Sequence, residues 1–257
     1  MQITFEELIA LAEDGNVDAM VDATRAMVWG GDASGWSDQI KKDRIVQYLH
    51  VAVNTGNVKA MNLLGAMYAE GKVVDPDPEQ SFMWYKMAAD YGNPDAISNT
   101  GFCYFYGKGT EIDYAKAYEY LSKAGQLDIG DAIVRLGDMY LMGYHVKQDV
   151  KMALTLYYKA YGMSRSHDLS GEVDDCYVYS DVCRRLGDCH YIGAGLEKNL
   201  IEAFHYYSEA YYYYLLRDRN GDFYSSEGLE KTKNRLMRVL SEIKGTEETK
   251  GEKIDES

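Results

Sequence analysis

The 257-residue sequence is acidic, with a formal net charge of −14, and it contains 46% hydrophobic residues, 24 glycines and only 3 prolines. A negative surface repels a phosphate backbone, so we exclude nucleic acid as a partner. No stretch approaches the roughly 18 apolar residues of a membrane span, and the first residues lack the basic start of a signal peptide. Four cysteines without paired spacing favour a reduced, cytoplasmic protein.

The first predicted element is a short helix in TFEELIALAEDGN, where Thr4 and Glu7 have the spacing of a capping box. It matches only the second half of the pattern that follows. Residues 17–57 match the whole pattern weakly, with a longer central loop, GDASGW. We interpret this region as a degenerate end of a repeat array, because terminal repeats are usually atypical.

A dipeptide ending in glycine marks the repeats. It is Leu-Gly or Thr-Gly, at 64–65, 100–101, 136–137 and 186–187, which gives spacings of 36, 36 and 50 residues. An Asp or Asn lies thirteen residues after the start of each dipeptide, and an alanine lies twenty-four after it. A fixed period of this size indicates a stack of helical repeats.

Each repeated position has a physical role that predicts a helix–turn–helix unit. Leu136, Tyr140 and Gly143 follow helical spacing, and Gly137 between them allows a partner helix to approach closely. Gly143 ends the first helix, where a left-handed residue is needed. Asp149 then caps the second helix with its side chain. Neither helix can bury its apolar face alone, so the units must stack.

We predict one continuous array over 1–244 followed by a disordered acidic tail, 245–257. The predicted units lie near 17–57, 58–93, 94–129, 130–175 and 176–224, with a cap helix at 225–244. The longer spacings place inserts near 162–175 and 217–228. We favour two extended loops there, and the alternative is a pair of lengthened helices that form a ridge.

The pattern LGxMYxxG…D…WYKxAAxxGNxxA, clearest at 64–96, resembles the Sel-one-like repeat family, a relative of the tetratricopeptide repeats. The resemblance implies an all-α fold, a right-handed α-α superhelix (solenoid) of about six units including degenerate caps. It also implies that the concave face holds protein partners and that the protein is an adaptor or scaffold.

Chemical motifs are weak beside this pattern. Cys183, Cys189 and His190 suggest a metal, but they occupy repeat positions that hold Met or Tyr in other units. GKGT at 107–110 lacks the spacing of a phosphate loop. No Ser or Cys has a base at a recognisable spacing. We therefore predict no enzyme activity, no cofactor, no metal and no small-molecule substrate.

The tyrosine run at 211–214 is the most unusual stretch. We favour packing in the core and at the edge of the array, with an exposed aromatic patch for a partner as the alternative.

The resemblance also selects candidate partner-binding residues, because in the related tetratricopeptide fold the first helix of each unit lines the concave face. The positions so selected are Arg25, Trp29, Asn62, Glu70, Ser98, Phe102, Phe105, Tyr106, Asp138, Arg184, Asp188 and Tyr191.

We expect the aromatic members of this set to anchor a partner peptide or helix. Asp138 and Asp188 stand at the same repeat position and would prefer a basic group between them, which indicates a partner with basic character. The rings could instead pack against neighbouring units. The alternative function is a dedicated inhibitor or immunity-type protein that blocks one enzyme or toxin through its acidic surface.

Overall fold

The protein is described from a computed structural model, which covers residues 3–30, 37–168, 176–219 and 225–255. These residues form twelve α-helices and one π-helical turn, Ala26–Gly30, and contain no β-strand, which confirms the all-α prediction. The helices are α1 (Phe5–Glu13), α2 (Val17–Arg25), α3 (Asp38–Asn54), α4 (Val58–Glu70), α5 (Pro78–Asp90), α6 (Pro94–Tyr106), α7 (Tyr114–Gln126), α8 (Gly130–Met142), α9 (Val150–Asp168), α10 (Cys176–Ile192), α11 (Leu200–Arg219) and α12 (Ser225–Asp255).

The chain forms two compact units, Met1–Leu127 (unit 1) and Asp128–Ser257 (unit 2), where the sequence predicts one continuous array. In each unit, helices that follow one another in the chain pack together. Each repeat has a first helix, such as α4, α6, α8 or α10, and a second helix, such as α5, α7, α9 or α11. None of the described helices is long and apolar enough to cross a membrane.

Helix boundaries follow the predicted caps. The side chains of Asn57 and Asn93 accept hydrogen bonds from backbone amides at the starts of α4 and α6, and Asp77 does the same for α5. The capping box of Thr4 and Glu7 is formed at α1. Gly143 ends α8 in the left-handed conformation, with φ of 73°.

The repeat glycines bring the first and second helices into contact. A Cβ atom on Gly137 would lie 2.4 Å from the ring of Tyr157, and one on Gly187 would lie 2.6 Å from the ring of Tyr207. Both distances are too short for a real side chain, so the tyrosine rings of the second helices pack directly on glycine. Tyr157 and Tyr207 are fully buried, and this contact fixes the spacing of each helix pair.

The inserts are lengthened helices wherever the structure describes them. α9 and α11 have 19 and 20 residues, against 13 in α5 and in α7. The preference for extended loops is therefore wrong for 162–168 and 217–219, and α12 begins at Ser225, the first residue of the predicted cap helix. The remaining insert residues, 169–175 and 220–224, lie outside the described residues, as does the GDASGW loop at 31–36.

The structure differs from the predicted disordered tail. α12 continues through 245–255, and its many Glu and Lys residues are good helix formers.

In the tyrosine run at 211–214, Tyr214 is buried in the core and Tyr212 is exposed. The run therefore contributes to both the core and the surface.

The junction between the two units departs from the usual helix connection. Elsewhere a glycine with positive φ precedes a capping asparagine, as at Gly92 and Asn93. At the junction Asp128 takes the positive φ, 58°, and Ile129 follows it without a side-chain cap for α8. The connection between α7 and α8 therefore lacks both the glycine with positive φ and the capping asparagine that connect helices in unit 1.

Candidate functional site

We call the surface defined by the predicted partner-binding residues the first-helix face. Eight of these residues lie in unit 1, and they differ widely in exposure. Arg25 and Trp29 are exposed, and the indole Nε1 of Trp29 donates a hydrogen bond to Glu70, 3.0 Å away. Lys72 pairs with the same carboxylate at 2.9 Å and lies over the indole ring. The π-helical turn thus presents Trp29 with its ring held by charged neighbours.

Amide side chains connect α4 with α6. The Nδ2 of Asn99 donates to the Oδ1 of Asn62, 3.2 Å away. Ser98, on the same turn of α6, is buried. Ser98 therefore packs inside unit 1, and the expectation that a partner contacts it is not supported by its position.

Three aromatic rings cluster near the end of α6. The ring centroids of Phe102 and Tyr106 lie 4.5 Å apart, and those of Phe105 and Tyr106 lie 4.7 Å apart. Phe105 is only 8% exposed, whereas Tyr106 is 41% exposed and Phe102 is half-buried. Phe105 packs in the core, which is the alternative that the sequence left open for these rings, and it supports Tyr106 at the surface; that the rings anchor a partner stays a prediction.

In unit 2, Asp138 lies in a buried network of charged side chains. Arg185 donates two hydrogen bonds to its carboxylate, from Nε at 2.6 Å and from Nη2 at 2.7 Å. The hydroxyl of Tyr157 donates to Asp138 at 2.7 Å, and Arg135 lies 3.3 Å away. Both arginines are almost completely buried.

The same arrangement recurs one repeat later, around Asp188. Tyr207 donates to Asp188 at 2.7 Å, and Arg235 of α12 lies 2.7 Å from the same carboxylate. In each case an Asp that follows a repeat glycine binds the Tyr nineteen residues later and an Arg forty-seven residues later. We call the resulting series, Asp138–Arg185 and Asp188–Arg235, the Asp–Arg ladder.

Two more carboxylates, those of Asp181 and Asp131, contact the same buried arginines. Asp181 pairs with Arg135 at 3.1 Å and with Arg185 at 3.2 Å, and it accepts a hydrogen bond from Tyr214. Asp131 lies 3.4 Å from Arg135. The paired arginines therefore join α8 to α10 through charges that are largely removed from water.

The carboxylates of the ladder respond to burial in opposite ways. Burial acts to raise the pKa of Asp138 and of Asp181, but Arg185 and Arg135 outweigh it and hold both pKa values below the ordinary range. Burial raises the pKa of Asp131, because its main partner, Arg135, offsets the loss of water only in part. Relative to an ordinary aspartate, the fold therefore favours the charged form of the first two carboxylates and disfavours the charged form of the third.

The ladder corrects one sequence expectation. Asp138 and Asp188 do prefer a basic group, as predicted, but the chain's own arginines supply it. Asp138 is therefore needed to pack unit 2, contrary to the expectation that positions on this face are spare. Repeat alignment shows that two residues are equivalent, but it does not show which side chain of the next repeat reaches them.

A second charged cluster surrounds Tyr191, at the end of unit 2. Lys198 and Arg238 lie over the Tyr191 ring, 5.0 Å and 5.3 Å from its centroid, and the Tyr191 hydroxyl donates to Glu242. We call the following set the α10–α12 cluster: Arg184, Asp188, Tyr191, Lys198, Arg235, Arg238 and Glu242.

Sequence analysis missed Lys198, Arg238 and Glu242. One signal was available in the sequence. When the repeats are aligned with the 50-residue spacing, Arg238 falls on Asp188, so a cation stands where the preceding repeat has a carboxylate. The same shift aligns Met237 with Gly187, so α12 lacks the glycine on which a second helix would pack. Met237 is exposed, and α12 closes the array.

The residues considered for metal binding are part of the packing. Cys103, Cys183 and Cys189 are free and buried, and burial raises the pKa of Cys189 to about 11. His190 stacks on Tyr206 with ring centroids 5.4 Å apart. Within the described ranges, no group of three His, Cys, Asp or Glu side chains is placed to hold a metal ion.

Comparison with known structures supports the fold. A protective antigen with an SLR fold from uropathogenic Escherichia coli, c5321, is 20% identical with a TM-score of 0.56, over 92% of this chain and 56% of that protein. A Sel1 repeat protein from Oxalobacter formigenes is 21% identical with a TM-score of 0.57, over 80% and 78%. The immunity protein Pa5087 from Pseudomonas aeruginosa is 19% identical with a TM-score of 0.50, over 88% and 83%.

At these identities the similarity shows the fold alone. Curated protein sequences give no significant match. The family model for the Sel1 repeat, however, matches four segments of the chain, at 58–93, 94–129, 130–163 and 180–214. These segments contain more than half of the sequence, and they coincide with the helix pairs described above, so the chain belongs to the Sel1 repeat family.

Proposed function

We propose that the protein is a non-enzymatic interaction scaffold that binds a peptide or helix of a partner protein along its first-helix face, which the family resemblance predicts to be concave. Sel1 repeat proteins generally mediate interactions between proteins. The family gives the general role, and the partner must be inferred from the side chains of this chain.

The aromatic cluster of α6 carries the proposal. Tyr106 presents an exposed ring that rests on the buried ring of Phe105, and Phe102 packs against it from one turn earlier. Rings held in place by their neighbours lose little entropy when a partner covers them, which is why aromatic residues dominate interface energetics. Trp29, held by Glu70 and Lys72, offers a second ring of the same kind in unit 1.

The test is crosslinked capture from the native cell. The Phe102→Ala/Tyr106→Ala variant should lose a partner that the wild-type protein captures, while circular dichroism shows that the variant is folded. Tyr91→Ala is the matched control, because Tyr91 is also an exposed tyrosine of unit 1 but follows a second helix. Equal capture by the wild type and the double variant would reject the α6 cluster as the binding site.

The net charge of −14 supports a second candidate, an inhibitor or immunity-type protein that acts through its acidic surface. Electrostatic steering would then dominate association. This candidate predicts that the association rate falls steeply with added salt and does not change in the Phe102→Ala/Tyr106→Ala variant.

A further inference from the structure

The chain as a whole is negatively charged, but positive side chains outnumber carboxylates in the α10–α12 cluster. Arg184 and Arg235 lie 3.4 Å and 2.7 Å from Asp188, and Lys198 and Arg238 lie 3.3 Å and 3.7 Å from Glu242. The cluster as defined thus has four cations for two carboxylates. Beyond it, Arg184 also interacts with Asp181, which shares Arg135 and Arg185 with Asp131 and Asp138, and with the exposed Glu227.

The cations that surround Tyr191 are accessible to a partner. The side chain of Arg238 is 71% exposed and that of Lys198 is 51% exposed, and both lie over a ring whose hydroxyl is fixed by Glu242. A cation held over an aromatic face is already partly ordered and desolvated. It therefore loses less freedom when it binds a carboxylate than a lysine or arginine extended into solvent.

One exposed apolar side chain adjoins the cluster. Ile192 ends α10, is 67% exposed and directly follows Tyr191 in the chain. Met142 occupies the same repeat position at the end of α8 and is 59% exposed, but α8 contributes no residue to the cluster. A single exposed apolar residue is ordinary, and Ile192 matters here because it stands next to a local surplus of positive charge.

We propose that this end of the first-helix face in unit 2 docks an acidic segment of a partner protein, in which carboxylates alternate with apolar side chains. The proposal rests on the interaction function above and names the chemistry of the partner segment that unit 2 binds. Charge complementarity selects a carboxylate-bearing segment, because Asp138 and Asp188 are already paired within the chain and do not require a basic partner. A nucleic acid is disfavoured, because its closely spaced phosphates would meet the two carboxylates of the cluster and a chain of net charge −14.

The test measures fluorescence anisotropy of a labelled peptide titrated with the full chain. The probe is a 16-residue amphipathic peptide of Glu and Leu, and its Lys-for-Glu counterpart reports the charge preference. Lys198→Glu/Arg238→Glu should raise the dissociation constant of the acidic peptide at least about tenfold. Ile192→Ser should raise it by a smaller factor.

Lys42→Glu/Lys123→Glu is the matched control. It makes the same change in net charge, at two exposed lysines of α3 and α7 in unit 1, and these helices contribute no residue to the cluster. We expect this control to bind within about twofold of the wild type at 0.15 M salt, where the long-range effect of net charge is largely screened. Both double variants leave Arg235 and the Asp–Arg ladder intact.

Three results would overturn the proposal: equal weakening by the two double variants, tighter binding of the lysine peptide, or displacement of the acidic peptide by millimolar inorganic phosphate. The interaction function is tested separately. If a cellular partner depends on Phe102 and Tyr106 but not on Lys198 and Arg238, the scaffold stands and the acidic segment is rejected.

Discussion

The two units share one framework of glycines, caps and buried alanines, but they join successive first helices with different chemistry. In unit 1 the residue two before the repeat glycine is the buried Leu63 in α4 and Asn99 in α6, and Asn99 forms an amide hydrogen bond to Asn62. In unit 2 that position holds Arg135 and Arg185, and Arg185 forms a bidentate, charge-assisted pair of hydrogen bonds with Asp138.

The position after the repeat glycine differs in the same way. In unit 2 it holds Asp138 and Asp188, which the ladder uses. In unit 1 it holds Ala66 and Phe102, and Phe102 belongs to the aromatic cluster proposed to bind a partner. The comparison teaches that one repeat position can pair charges between repeats in one unit and hold an alanine or a half-buried aromatic ring in the other.

The largest expected difference between the units comes from removing one bond between repeats. Asp138→Asn removes the carboxylate that Arg185 contacts through two nitrogens and leaves the buried Arg185 and Arg135 paired with Asp181, which should lower the free energy of unfolding by about 2–3 kcal/mol. Asn99→Ala removes a neutral hydrogen bond and should cost about 0.5–1.5 kcal/mol. Urea unfolding, with hydrogen exchange to assign the loss to a unit, would measure both, and similar losses would show that the ladder is no stronger than the amide pair.

Acid should destabilise unit 2 before unit 1. The lowered pKa values of Asp138 and Asp181 mean that their contribution is present above the unfolded carboxyl value, about 3.9, and is lost as pH falls through the folded values. Asp131 has the opposite sign: its raised pKa means that the folded state takes up its proton first, which stabilises folding slightly as pH falls toward 3.9.

Hydrogen exchange between pH 5 and pH 3 checks this order. Asp131→Asn should cost less at pH 7 than Asp138→Asn, because the fold raises the pKa of Asp131 and lowers that of Asp138. Preferential opening of unit 1 in acid would contradict the assignment.

Gly137 of unit 2 should tolerate a side chain less well than Gly101 of unit 1. In Gly137→Ala the new Cβ would lie 2.4 Å from the ring of Tyr157, which its hydrogen bond to Asp138 holds in place, so we expect a loss of about 1–3 kcal/mol. Gly101→Ala meets Leu121 at 2.8 Å, and a leucine can change rotamer more easily. Gly162→Ala, which meets nothing within 4 Å in α9, is the control and should stabilise by about 0.5–1 kcal/mol. Thermal melts compare the three variants.

The smallest expected effect concerns the junction between the units. Asp128→Gly relieves a positive φ of 58° and should stabilise the protein by about 0.5 kcal/mol. The reverse change in unit 1, Gly92→Asp, has open space around it but imposes a positive φ of 86° on a side chain, and should cost about 1 kcal/mol. Melting temperatures that move in the same direction for both variants would rule out backbone strain as the cause.

Much of the fold followed from the sequence because its signals are local. The glycine and asparagine caps, the Asp-Pro and Asn-Pro helix starts and the repeat period each depend on residues within a few positions of one another. The lengthened helices were missed because the polar composition of 162–168 is compatible with a loop, and only the packing of α9 and α10 favours helix there.

The candidate site was harder to predict, since its residues meet across a repeat. The sequence by itself determined the helix pairs, the repeat period, the aromatic residues of α6 and the equivalence of Asp138 and Asp188. Only the tertiary structure decided that Asp138 is paired with Arg185, that Phe105 is buried beneath Tyr106, and that Lys198 and Arg238 meet at Tyr191. Each of these contacts depends on how one helix packs against the next, and that geometry determines which side chains keep their contact with water.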